Sequence, residues 1–163
     1  MPARDPVPAF HAHDHAQCSD HLLARAETLA AERGVRLTPV RRRVLELLLE
    51  RHRALGAYEV LDRLADEGFG RQPPVAYRAL DFLVEQGLAH RVARLNAFAA
   101  CMHPGEPHAP VFLICRSCNA VAEAGGDGLR RALEAEAAAQ GFAVERSSLE
   151  ALGQCAACRG AAA

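Results

Sequence analysis

At 163 residues, half of them apolar and 24% charged, the chain has the make-up of a soluble globular protein of one domain or two small ones. No apolar run is long enough to cross a bilayer and the first twenty residues lack the apolar centre of a signal peptide, so a membrane protein is excluded and a cytoplasmic one expected. Net charge is only −1, but residues 21–100 hold thirteen Arg against ten Asp and Glu. That mildly basic half is too weak a signal to establish a nucleic-acid partner unaided.

Taken in order, residues 1–19 form a Pro- and Ala-bearing tail with His11, His13, His15 and Cys18 and no periodicity, which predicts disorder. From Asp20, the spacing of Leu22, Leu23, Ala26, Leu29 and Ala30 predicts a first helix closed by Gly34. Thr38-Pro39 then reads as an N-cap with proline in the first turn, opening a helix that carries Val40, Val44, Leu45, Leu47 and Leu48 to about Arg51. Tyr58, Leu61, Leu64 and Ala65 mark a third short helix between Gly56 and Gly68. Pro74 to Gln86 is predicted as a fourth, with Val75, Ala79, Phe82 and Leu83 on one flank and Tyr77 and Arg78 projecting away. His90-Arg91-Val92 and Phe98-Ala99-Ala100, on either side of the turn-prone Asn96, predict an antiparallel hairpin. Helices followed by such a hairpin follow the order of a winged helix-turn-helix, although a small helical bundle without a DNA partner explains the same apolar faces.

Pro104, Gly105, Pro107 and Pro110 mark a boundary, so the predicted organisation is a DNA-binding unit at 20–101, a hinge at 102–109 and a second unit at 110–163. In that second unit Val111–Ile114 and Asn119–Ala124 read as paired strands, Asp127 opens an Ala-rich helix, and Phe142–Leu152 reads as another strand. The expected fold class is therefore α+β. The strand at 111 runs into Cys115-Arg116-Ser117-Cys118, and the stretch after 142 delivers Cys155-Ala156-Ala157-Cys158. Two C-x-x-C pairs offer the four soft, tetrahedral donors of a structural zinc site, here fastening the beginning of a sheet to its end. Disulfides or unrelated thiols are the alternative, disfavoured for a chain read as cytoplasmic.

The segments RLTPVRRRVLELL at 36–48, PPVAYRALDFLVEQGLAHRV at 73–92 and FLICRSCNAV with its distant CAAC resemble the ferric uptake regulator superfamily, and most nearly its zinc-sensing branch. The resemblance implies a homodimer in which an N-terminal winged helix binds double-stranded operator DNA and the C-terminal unit pairs with its copy. It places Tyr77 and Arg78 on the recognition helix facing the DNA, with Tyr58 and Arg36 at the phosphate backbone or groove edge. It also implies a second, regulatory zinc held by His90, Cys101, His108 and Glu123, two ions per chain in all, with His103 as a rival to His108. HAPVFLIC lacks the denser histidine-aspartate motif of iron-sensing relatives, and Ala76 stands where a bulkier branched residue is commoner.

The function so implied is a zinc-responsive repressor of zinc-uptake genes, with no membrane and no small-molecule substrate other than the metal. A sensor of iron, manganese or peroxide on the same fold is the alternative. Hydrolase chemistry is disfavoured: the chain has no HExxH, no HxE followed by PCxxC and no serine nucleophile elbow, so no enzyme is expected. A zinc-ribbon adaptor that never touches DNA is the remaining contrast.

Overall fold

The computed structural model describes Phe10 and residues 14–160; His11 and His13 lie outside the described residues. Helix α1 (His15–Glu32) begins earlier than the Asp20 expected from periodicity. Asp14 caps it by accepting from the Gln17 amide. The first turn is anchored through space, because His15 Nε2 lies 2.7 Å from the Glu50 carbonyl and Ser19 Oγ donates to the Leu49 carbonyl at 3.0 Å. His15 and Cys18, expected in the tail, are thus part of a helix.

Helix α2 (Pro39–Leu49) follows its Thr38 cap, α3 (Ala57–Asp66) starts after Gly56, and α4 (Pro73–Glu85) opens with proline at its first turn. Proline costs nothing there because that amide has no intrahelical partner. Leu22 and Leu29 of α1, Val44 and Leu48 of α2, Val60 and Leu64 of α3, and Leu80 and Leu83 of α4 meet in one buried cluster. Strands β1 (Ala89–Val92) and β2 (Ala97–Ala100) then pair antiparallel, from Ala89 opposite Ala100 to Val92 opposite Ala97. A 3-10 turn, Ala93–Leu95, and Asn96 in the left-handed region (φ 46°) reverse the chain between them. Leu55 bridges to Phe98 through two 2.8 Å backbone bonds, laying the hairpin on the helices as a wing.

The second unit is a three-stranded sheet in the order β4-β3-β5. Strand β3 (Pro110–Cys115) pairs antiparallel with β4 (Val121–Gly125) and parallel with β5 (Leu149–Gly153), the crossover running through α5 (Asp127–Ala139). The expected strand over Phe142–Leu152 is shorter than predicted, since only Leu149 onward finds a partner and Phe142 is exposed. A short helix α6 (Ala156–Gly160) carries the last cysteine. None of the residues from Asp127 to Gly160 is buried, so this half of the unit has no core of its own.

The wing and the sheet are packed together. Val92 and Ala99 of the wing share a buried cluster with Phe112, Ile114 and Val121. The Val121 amide donates to the His52 carbonyl at 3.0 Å. The loop after β2 lies against α1: at Gly105 the backbone angle (φ +88°) favours glycine, and a Cβ would stand 2.8 Å from Leu29 Cδ2, so that side chain would have to shift.

Candidate metal centres and nucleic-acid interface

One sulfur from each of Cys115, Cys118, Cys155 and Cys158 lies within 4.8 Å of the other three. All are free thiols, and the Cys118–Cys155 separation of 3.9 Å is far beyond a disulfide bond of about 2.05 Å. β3 ends on Cys115, whose carbonyl accepts the Asn119 amide at 2.9 Å, while Asn119 takes a left-handed φ of 59° that folds Cys118 back. The amides of Cys155, Cys118 and Ser117 point at the Cys115 sulfur and lower its pKa to about 6, so it is a ready thiolate. Cys158 is pushed up to about 12 by the neighbouring Cys155 and Cys118 sulfurs. Such a group cannot ionise fully without a cation at its centre, and four sulfurs suit a soft tetrahedral one.

The second cluster gathers donors from four places in the chain. His90 comes from β1, Cys101 follows β2, His108 closes the loop before β3, and Glu123 lies on β4; their donor atoms are within 4.8 Å of one another. His108 Nε2 is 2.7 Å from Glu123 Oε1, 3.3 Å from His90 Nε2 and 3.5 Å from Cys101 Sγ. The other ring nitrogen, Nδ1, sits 2.7 Å from the Glu106 carbonyl and carries the hydrogen of that bond, which makes Nε2 the nitrogen available to ligate in the neutral ring. Glu123 is buried, its Oε2 accepts the Met102 amide at 2.9 Å, and its Oε1 has no hydrogen-bond donor. Four potential ligand atoms therefore converge on one point, with the Cys101 thiol the group that must give up its proton to bind an ion. A cation fits this arrangement. Burial lowers the pKa of His90 and so favours the neutral, ligating imidazole; it pushes the Cys101 thiol up to about 12. His103 Nδ1 is 3.6 Å from Glu123 Oε1, but its side chain is 48% exposed and it stands outside the four-atom cluster.

Of the residues expected at DNA, Tyr77 and Arg78 are exposed on α4, Tyr58 is 65% exposed in the first turn of α3, and Arg36 is exposed ahead of α2. Arg36 and Arg78 make no ion pair among the described residues, whereas Arg43 is tied to Glu46, Glu50 and Glu67. Arg71, exposed just before α4 and likewise without an ion pair, was not singled out by the sequence. No described helix is long and apolar enough to cross a membrane.

Four helices with a wing, joined to a small sheet and carrying two clusters able to hold a metal ion, are thus in place, and the comparisons point to one family. Residues 32–152 match the ferric uptake regulator family, and the chain belongs to that family. The zinc uptake regulation protein of Escherichia coli (strain K12) is 42% identical over 141 residues, which cover 86% of this chain and 82% of that protein. A zinc uptake regulator solved in complex with zinc and DNA superposes with a TM-score of 0.83 at 41% identity, covering 88% of this chain and 97% of that one. XcZur, 39% identical, gives a TM-score of 0.78 in its holo crystal structure, covering 86% of this chain and 99% of that one. Its apo structure gives only 0.52 at the same identity, covering 88% and 99%.

Proposed function

We propose that the protein is a zinc-responsive transcriptional repressor that binds operator DNA as a homodimer when the site formed by His90, Cys101, His108 and Glu123 is filled, and that it controls zinc-uptake genes in the cytoplasm. The observation that carries this reading is that those four donors come from the wing, the hinge and the sheet yet meet at one point. A bound ion supplies bonds to all three at once. The residues do the rest: His90 fixes one end of the wing strand, Cys101 and His108 fix the two ends of the hinge, and Glu123 provides the immobile base. Metal and operator then favour the same pose, and each tightens the other by an equal factor, typically about 1–3 kcal/mol. The greater likeness to holo than to apo XcZur, at equal sequence identity, supports this reading.

The four-thiolate centre has a constitutive role, giving two zinc ions per chain. Leu129, Leu133, Phe142 and Leu152 are exposed on a half-unit without a core, and a second copy of the chain covers them. The wing and helices over 20–101 read DNA, 102–109 act as the hinge and 110–163 dimerise. On α4, Tyr77 and Arg78 face the DNA from the recognition helix, with Tyr58 and Arg36 at the phosphate backbone or groove edge. Arg78→Ala is expected to weaken operator binding by about 1–3 kcal/mol, since a bidentate arginine–guanine contact discriminates by that amount. The test is a mobility shift on zinc-transporter promoter DNA with zinc, iron and manganese each titrated against a chelator. Zinc should drive binding; iron acting in its place would overturn the metal assignment, and an unaffected Arg78→Ala would overturn the recognition-helix assignment.

The pH dependence follows from Cys101. Its thiol is protonated throughout the neutral range because its pKa is about 12, and its proton must leave when the ion binds. Regulatory-site affinity should therefore fall about tenfold for each unit of pH lost between about 8.5 and 6.5, one proton per ion. Chelator competition at several pH values measures the slope, and a flat profile would contradict it.

A further inference from the structure

Phe112 on the central strand lies opposite Glu123 on one side and opposite Glu150 on the other. Residues paired across a ladder point to the same face, so Glu123, Phe112 and Glu150 form one row, and that face receives the wing. Glu123 meets His90 within the metal cluster, with 3.7 Å between His90 Nε2 and Glu123 Oε1. Phe112 packs its ring 5.7 Å from the His90 ring and is buried with Val92 and Ala99. Glu150 holds the far end of the wing strand: Oε1 accepts the Ala93 amide at 2.6 Å and Oε2 accepts the Arg94 amide at 2.8 Å.

We infer that Glu150 is a positioning residue: its carboxylate clamps the wing turn independently of metal and, together with the regulatory ion, fixes the pose of the DNA-reading unit. The inference rests on the function proposed above. His90 and the buried packing of Val92 and Ala99 on Phe112 hold the strand, but neither supplies a directional bond at the wing turn itself. Ala93 lies three residues beyond His90, about 10 Å in extended chain, and the grip there supplies that bond. Both carboxylate oxygens are used on main-chain donors, and charge-assisted bonds of this kind are roughly twice as strong as neutral ones. Without the clamp, the closed pose is a smaller fraction of the population. Every ligand that needs that pose then binds more weakly by the same fraction.

The test uses full-length wild type, Glu150→Ala and Glu150→Gln. Glutamine keeps one acceptor but turns an amide NH2 toward a backbone N–H, so it should also break the clamp. Two quantities are read: zinc affinity of the regulatory site without DNA, by chelator competition, and operator affinity at a fixed free zinc well below saturation of that site, where the closed fraction is not already complete. Both should fall about tenfold in both variants, within the usual range of coupling between sites, while one tightly held zinc and the melting temperature are retained. Unchanged values in both assays overturn the inference. So does a fall in operator affinity alone, which would place Glu150 at the DNA, or a fall in zinc affinity alone. If wild type itself shows no zinc-dependent operator binding, the function reading fails, and the zinc titration alone judges the clamp.

Discussion

Cys101→Ser is expected to abolish the zinc response, lowering operator affinity in zinc about a hundredfold, to the level of the metal-free protein. Cys101 is 2% exposed and its amide donates to the Leu88 carbonyl at 3.0 Å, so the small, isosteric serine keeps the backbone where it is. What is lost is the thiolate. A serine hydroxyl does not ionise at neutral pH, and His90, His108 and Glu123 alone offer no soft donor to offset burying the ion. The variant should still contain the zinc of its four-thiolate centre and still run as a dimer, which separates this outcome from misfolding. Mobility shift, metal content and size-exclusion chromatography measure the three properties. A fully zinc-responsive Cys101→Ser protein would remove the second centre from the mechanism.

Cys115→Ser should have the opposite signature, with the C-terminal unit unfolding and the helical unit surviving. Between Asp127 and Gly160 no residue is buried, and β5 is joined to the rest through its ladder with β3 and through Cys155 and Cys158. Structural zinc in small peptides contributes about 10–16 kcal/mol. A whole domain is stable by only about 5–15 kcal/mol. Loss of a ligand that is itself buried at the end of the central strand therefore exceeds the margin. Limited proteolysis should cut beyond Gly125 while fragments containing α1 to β2 persist, because Leu47, Val60, Leu64, Leu80 and Leu83 form a separate core. An intact dimer with wild-type melting would contradict this account.

The helices of the first unit were legible because each carries its signals locally: Thr38-Pro39 and Pro73-Pro74 at the starts, and apolar repeats at helical spacing. The doubled C-x-x-C was equally plain, since each pair is a local motif. His90, Cys101, His108 and Glu123 were not readable from spacing, as they come from different elements and only the family resemblance singled them out. Two element boundaries were misjudged for one reason. The first turn of α1 is held by a bond from His15 to the Glu50 carbonyl, just past the end of α2, and β5 is limited by where β3 offers a partner. Glu150 went unnoticed altogether. Its ligands are main-chain amides 56 and 57 residues away, which no side-chain pattern can announce.

The parallel pairing of β5 with β3 sets Gly153 opposite Cys115, and Cys155 follows two residues later. The thiolate centre thus does more than hold the chain closed: it indexes the strand. Were β5 to slide by a single residue, side-chain alternation would turn Glu150 to the outer surface and leave the wing turn without its acceptor. A deletion of Gln154 should therefore disconnect the wing from a site that lies at the other end of β3, with every metal ligand still present in the chain.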